Sequence, residues 1–569
     1  MLLRKQMRSV REITTVYLHV ILVNGTRRMY DTLRVRTLTT KPPILSALTR
    51  PAAGINGCSK PQPDQMKLTF RELVFSARGA MPSEQDAREE EEYNANIEEL
   101  TKLQSNRESL QSPISTRCDT LANTLKYLER SGLNLSDVEK LSVIHVGGTK
   151  GKGSTCALTE SILRQYGART GFFSSPHLVS TNERIRIDGE PLAKAKFTRF
   201  FRLVYDRLLL HREHDRDMPA FFMFLTIVGF HVFIAERVDV VVLEVGIGGE
   251  LDCTNILRNV RTVGITSLAL EHTQVLGNTL EEIAWQKAGI IKPGAHVYTD
   301  VTQPECLQVI RDRADEKNAQ LFQVPNTEEL FKSNHRSDHL DTCNDYVRLN
   351  GSLSIQLAYD WLCQSTGPLH CCYPTNWPRL TDEVLRGVSQ ANWPGRCQLV
   401  EYENMRVHLD GAHTVESIRV CCNWYLKSTR LSRNPSILVF NRTGDTDTKD
   451  LLQVLQQSCS FDMICFVPNL SSATAKDPNQ TSVCYTDDAQ RERAKLIAAT
   501  WQQLCDANQQ VNNGRMYNTI FDAFVEMRKR YPAHIEVDVL ITGSLHLLGA
   551  AILMLNDFHS EAKLPNGST

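Results

Sequence analysis

The chain has 569 residues, too many for one ordinary hydrophobic core, so two or more domains are expected. Its 64 basic and 65 acidic residues leave a net charge of −1, which excludes a general nucleic-acid surface and a strong steering field. Sixteen cysteines contain no C-x-x-C spacing, and the adjacent pairs Cys371-Cys372 and Cys421-Cys422 suit neither a zinc site nor a disulfide framework, so a reducing compartment is expected.

The first fifty residues are rich in Arg and Lys (Arg4, Lys5, Arg8, Arg11, Arg27, Arg28) against only two acids, Glu12 and Asp31. A mitochondrial presequence and a disordered basic tail both fit that composition. Residues 1–90 show no sustained period and are read as presequence and linker, largely disordered, with the acids of 84–92 as a solvated helix start. From 93 to 130 apolar residues recur at helical intervals, among them Leu121, Leu125 and Leu128. Leu141-Ser142-Val143-Ile144 then reads as a buried strand, and 157–166 as a helix. Between them lies His145-Val146-Gly147-Gly148-Thr149-Lys150-Gly151-Lys152-Gly153-Ser154-Thr155.

A second short strand, 170–173, ends in Ser174-Ser175-Pro176-His177. Residues 219–235 are almost wholly apolar but include His231 and reach only the shortest bilayer-spanning length. Another apolar run, 238–245, follows directly, so the pair reads as a buried helix and a central strand, and no transmembrane segment is expected. Further strands at 262–267, 297–300 and 321–324 alternate with helical patterns. Residues 326–345 are polar and aperiodic and read as a loop; the prolines of 374–394 mark a domain boundary. Beyond it come strands at 407–409, 436–440, 462–467 and 537–542 with helices at 415–425, 489–503 and 517–531, then a loose polar tail after Asn556. The alternation predicts an α/β fold: a P-loop-type, mostly parallel sheet with helices on both faces over 91–385, a smaller Rossmann-like α/β domain over 386–557, and a tail at 558–569.

Four glycines and two lysines within residues 147–153 leave backbone N–H groups facing one small space, and the helix start adds positive partial charge. A polyphosphate fits there, with Lys152 reaching its outer phosphates and Ser154 or Thr155 facing a magnesium ion. A standard G-x-x-x-x-G-K-[ST] loop would need Gly at Val146 and Ser or Thr at Gly153, so a glycine turn without a ligand is the competing reading. Glu244 ends the strand Val240-Val241-Val242-Leu243, where a carboxylate meets the metal of a nucleotide or is incidental. Ser175 completes such a metal shell or caps a turn, and His272 is a ligand or a structural histidine. Lys287 sits among apolar neighbours, where an unpaired ammonium costs several kcal/mol.

Eight segments resemble folylpolyglutamate synthase of the eukaryotic form, in order from about 93 to 555. They are Gly148-Thr149-Lys150-Gly151-Lys152-Gly153-Ser154, Phe173-Ser174-Ser175-Pro176-His177-Leu178, Glu244-Val245-Gly246-Ile247-Gly248-Gly249 and Ala284-Trp285-Gln286-Lys287. Trp393-Pro394-Gly395-Arg396, Leu409-Asp410-Gly411-Ala412-His413-Thr414, Phe440-Asn441-Arg442-Thr443-Gly444-Asp445 and Thr542-Gly543-Ser544-Leu545-His546 complete the set. The family belongs with the Mur-type ATP-dependent amide ligases, so the resemblance implies a central ATP-binding domain and a C-terminal glutamate ligase domain. It implies that Gly151, Lys152, Gly153 and Ser154 hold the ATP phosphates, with Arg396 and Asp410 contacting ATP from the second domain. Ser175, Glu244 and His272 match its magnesium ligands, Lys287 matches a carbamylated lysine, and His413 and Ser544 match residues for the incoming glutamate. Lys152, Lys287 and His413 are thereby the expected catalytic residues. Glu271 stands where the family more often has Asp, and Gly147 where Thr or Ala is common.

What the resemblance implies is an acid–amino-acid ligase that joins L-glutamate to reduced folates with ATP and Mg2+, and with a monovalent cation such as K+. Its expected state is a monomer, and its expected place is the mitochondrion (matrix or inner-membrane surface) and the cytoplasm. Three other readings stay open on the residues: a dihydrofolate synthase, a P-loop ATPase or kinase, and a binding protein that has kept the fold.

Overall fold

The structure is a computed structural model that describes residues 84–103, 119–343, 345–365, 379–443, 448–472 and 486–561. The basic segment before residue 84, prolines 374 and 378 of the boundary stretch and the tail from 562 lie outside the described residues.

The first sheet has eight strands: β1 (Val143–Gly147), β2 (Thr170–Phe173), β3 (Ile185–Ile187), β4 (Glu190–Pro191), β5 (Val240–Glu244), β6 (Thr262–Ile265), β7 (His296–Thr299) and β8 (Gln320–Gln323). Their spatial order is β4-β3-β2-β5-β1-β6-β7-β8, with β3 alone reversed, antiparallel to both its neighbours. β1 and β5 are buried along their whole length, which is why they read as unbroken apolar runs. The second sheet holds β9 (Gln398–Tyr402), β10 (Met405–Asp410), β11 (Ser436–Phe440), β12 (Met463–Phe466), β13 (Gly514–Met516) and β14 (Val537–Thr542), in the order β13-β12-β11-β14-β10-β9. Only β9 runs antiparallel, to β10.

Helix α1 (Glu84–Lys102) begins inside the stretch read as linker and buries Tyr93, Ile97 and Leu100. Helix α2 (Lys152–Gln165) leaves β1 and is covered by later helices. Helix α3 (Phe221–Glu236) is apolar all round and packs inside the protein, and no described helix is long and apolar enough to cross a membrane. Its His231 lies 2.9 Å from the Ser131 hydroxyl, and burial pushes the imidazole down to about 4, so it is a neutral packing group. Helix α4 (Leu280–Ala288) carries Lys287 and opens with a capping box between Thr279 and Glu282.

Residues 326–345 correct the loop reading. They form the helices Thr327–Ser333 and Ser337–Thr342, the first capped by Asn326, whose side chain accepts Glu329 N–H at 2.8 Å. Two turns are too few to display a period, and Thr327, Leu330 and Phe331 anchor the first. Helix α5 (Asp345–Gln364) and helix α6 (Asp382–Gln390) then pack on α2, with Ser161 donating to Gly387 O at 2.7 Å. Helix α7 (Val415–Ser428) follows β10. Helix α8 (Leu545–Glu561) follows β14 and runs past Asn556, where a loose tail was expected. The apolar core around α2, α5 and α6 continues through Ala391 and Cys397 into the face of the second sheet under α7, so the two domains share it.

Candidate active site

The chain leaves β1 at Gly147 and turns through Gly148 (φ +139°) and Gly151 (φ +89°). Both lie in the left-handed region, and a Cβ would strike Thr266 at the first and Asn350 at the second. Thr149 N–H and Lys150 N–H donate to Ser267 O at 3.0 and 3.2 Å, which ties the turn to the exit of β6. α2 starts with Gly151 as N-cap and no side-chain cap, so its first-turn N–H groups remain available to an anion. Lys152 folds back over this turn and donates to Gly148 O at 3.1 Å and Thr149 O at 3.3 Å. Of the two hydroxyls offered for magnesium, Thr155 is sealed inside with no hydrogen-bond partner among the described residues. His145 is structural: it is fully buried, lies 2.9 Å from the Thr254 hydroxyl, and burial pushes it down to about 3.

Glu244 ends β5 beside this turn and accepts the Ser175 backbone N–H at 2.9 Å. Burial raises its carboxyl above the ordinary range, against the charges of Lys152, Arg396 and Arg184. His272 is the left-handed residue (φ +53°) that begins the short helix Thr273–Leu276. Burial lowers its imidazole, Lys287, Lys152 and Lys150 lower it further, and Glu271 opposes them. The charge of Lys152 therefore acts on both Glu244 and His272. Lys287 is only 4% exposed and donates to Gly148 O at 2.7 Å. Burial first, and Lys152 second, hold its amine well below the usual lysine value. Among the described residues no three His, Cys, Asp or Glu side chains form a metal cage. One carboxylate, one imidazole and one serine suit Mg2+, which takes few protein ligands and completes its shell with phosphate oxygens and water.

The second domain closes the cleft. Gly153, Ser175 and Glu244 line one side, and Trp393, Arg396 and Leu545 the other. Trp393 lies against Gly153, where a Cβ would meet its ring at 3.1 Å, and the Arg186 guanidinium sits 5.3 Å from the ring centroid. Asp410 ends β10, accepts Cys397 N–H and Ala412 N–H at 2.9 Å each, and is raised by burial against the Arg396 charge. Arg396 thus acts on Glu244 and Asp410 together. Ser544 accepts Leu547 N–H at 3.1 Å and so caps α8. His413 reaches back to the phosphate loop, with Nε2 3.0 Å from Lys150 Nζ, which also donates to Glu271 at 2.7 Å. Gly153, Ser175, Glu244 and Arg396 line one cleft, Lys152 and Lys287 meet at Gly148 O, and His413 reaches Lys150, whereas Ser544 serves as the cap of α8. Trp393 and the Lys150–Glu271 pair join them unforeseen, although Lys150 is the loop's second lysine and Glu271 adjoins His272.

Two α/β domains that meet over one anion-binding turn, each supplying charged groups to it, have the architecture of the Mur-type ATP-dependent amide ligases. Relatives agree with this: the mitochondrial folylpolyglutamate synthase of Cricetulus griseus is 42% identical over 409 residues, 68% of this chain and 69% of its own. A putative folylpolyglutamate synthase of Caenorhabditis elegans is 34% identical over 497 residues, 84% of this chain and 94% of its own. The chain belongs to the folylpolyglutamate synthase family. Among solved structures, Escherichia coli FolC in complex with DHPP and ADP has a TM-score of 0.57 at 23% identity, over 79% of this chain and 99% of that one. The bifunctional folylpolyglutamate synthase/dihydrofolate synthase of Yersinia pestis with AMPPNP and Mn has 0.56 at 24%, over 77% and 94%; both establish the shared fold. No protein-family model matches the chain.

Proposed function

We propose that the chain adds L-glutamate in γ-linkage to tetrahydrofolyl-(poly)glutamate through an acyl phosphate, releasing ADP and phosphate. The activity retains folates for one-carbon metabolism. The observation that carries this reading is the glycine turn at the head of α2, where Lys152 and Lys287 both donate to Gly148 O, at 3.1 and 2.7 Å, next to the strand end at which Glu244 pairs in register with Val146. Two anions, the folate γ-carboxylate and the ATP γ-phosphate, must meet before any bond forms, and cations and backbone N–H groups have to offset their repulsion.

Gly151, Lys152, Gly153 and Ser154 hold the phosphates from the first domain, and Arg396 and Asp410 contact ATP from the second. Ser175, Glu244 and His272 would hold Mg2+, which would supply positive charge to offset that of the ATP phosphates. The folate carboxylate oxygen attacks the γ-phosphorus and ADP leaves. The glutamate amine, presented by His413, attacks the acyl carbon, and phosphate leaves with a proton from the nitrogen. Closure of the cleft under Trp393 keeps water from the acyl phosphate. We assign these roles to an ATP-binding domain at 91–385 and a glutamate ligase domain at 386–557, in a monomeric chain.

Lys287 is assigned a carbamate. Its buried amine is driven towards the neutral form by its surroundings, a neutral amine takes up carbon dioxide with loss of one proton, and the anion formed is offset by Lys152. Labelled bicarbonate should give a carbamate carbon resonance in the wild type and none in Lys287→Arg; its absence from the wild type overturns the assignment. The resemblance adds a monovalent cation such as K+, with no side chain assigned to it. The named relative in Cricetulus griseus is mitochondrial, and we place this chain in the mitochondrion, at the matrix or inner-membrane surface, and in the cytoplasm.

The purified chain is expected to release ADP only when both L-glutamate and a reduced folate are present. Turnover on dihydropteroate alone would replace this reading with a dihydrofolate synthase, and glutamate-independent hydrolysis with an ATPase.

A further inference from the structure

Lys150 stands two residues before Lys152 yet does not point into the phosphate cradle. Its ammonium donates to Glu271 Oε1 at 2.7 Å and to His413 Nε2 at 3.0 Å. The other ring nitrogen of His413 is already engaged, because Nδ1 lies 2.8 Å from the Gly411 carbonyl oxygen. Only an N–H pairs with a carbonyl, so Nδ1 carries the proton and Nε2 offers its lone pair. A carboxylate from the first domain and an imidazole lone pair from the second therefore converge on one ammonium. The place is reachable from solvent: Glu271 is 27% exposed and His413 33% exposed. Arg442, just past the end of β11, lies near enough for its charge to act on Glu271. An anion, a lone pair and a neighbouring cation are what a zwitterionic amino acid requires.

We propose that Glu271 and His413 form the subsite for the α-ammonium of the incoming amino acid, and that Lys150 fills it as an internal stand-in until that amino acid arrives. This rests on the ligase reading above. A substrate ammonium competes for the same two acceptors, and Lys150, carried on a glycine-flanked turn, then withdraws towards the anions beside Lys152. The rival view is a plain interdomain latch, in which losing Lys150 loosens the site for every ligand.

The test measures ADP release at saturating ATP and folate, with L-glutamate as substrate and glutarate as competitor. Glutarate has the same two carboxylates and no ammonium. Glu271→Gln is expected to raise KM for L-glutamate about tenfold to a hundredfold while leaving the glutarate inhibition constant within about twofold. Glu271→Asp keeps the carboxylate and should recover most of the loss, which also shows that the fold tolerates change here. Lys150→Met should leave KM for L-glutamate unchanged or lower it. The proposal is overturned if Glu271→Gln weakens glutamate and glutarate in parallel, if it leaves KM unchanged, or if Lys150→Met raises KM as much as Glu271→Gln does. A wild-type chain that shows no glutamate-dependent ADP release would tell against the ligase reading itself.

Discussion

Glu244→Gln should lower kcat by about a thousandfold, roughly 4 kcal/mol of lost transition-state stabilisation, and leave the fold intact. The carboxamide has the same shape, and its oxygen can still accept the Ser175 N–H that Glu244 accepts at 2.9 Å. What disappears is the negative charge at the end of β5, and with it the part in holding a divalent ion that we propose for Glu244. Stability should move the other way. Burial holds the Glu244 carboxyl above its ordinary range, so at neutral pH its charge weighs against the folded state, and that burden fades as pH falls below the raised value. The variant should therefore melt no lower than the wild type at pH 7 when neither holds metal. Thermal melts and steady-state kinetics on one preparation separate the two effects. A variant that keeps a tenth or more of the wild-type kcat would remove Glu244 from the metal assignment.

The interior of the fold was legible because its central strands are buried on both faces. Val240-Val241-Val242-Leu243 can hardly be anything else, and a carboxylate at the end of such a run lies where parallel sheets collect ligands. Of the edges only β8 was legible, as the strand read at 321–324. β4 has two residues, and β9, with only Val400 and Tyr402 buried, presents no run long enough to read. Helices at 327–342 were lost to the same shortness, since a capping asparagine and the three buried apolar side chains Leu330, Phe331 and Leu340 leave no period. The glycine turn could be read because its parts are consecutive in the chain. The Lys150–Glu271–His413 contact could not, because 121 residues separate the first two and 263 separate Lys150 from His413. Local spacing carries no information over such separations; the two folded domains supply it.

Gly148→Ala should cost at least about a hundredfold in kcat/KM for ATP, and the reason lies in what Gly148 supports. Its carbonyl oxygen accepts from both Lys152 (3.1 Å) and Lys287 (2.7 Å), so a shift of this one peptide displaces both cations. A side chain is opposed twice. The residue sits at φ +139°, where side-chain-bearing residues are strained by about 1–2 kcal/mol. A Cβ would also crowd the Thr266 hydroxyl, and would lie 2.9 Å from the Thr266 backbone nitrogen, which cannot rotate away. Thr266→Ala in the same chain should therefore restore only part of the activity, since it clears the hydroxyl and leaves the nitrogen. Gly167→Ala is the control. Gly167 also has a positive φ, +83°, but its Cβ would meet nothing within 4 Å, so that variant bears the conformational strain alone and should keep wild-type kcat/KM. If Gly148→Ala and Gly167→Ala behave alike, the tight seat of the turn on β6 is not what holds the two lysines in place.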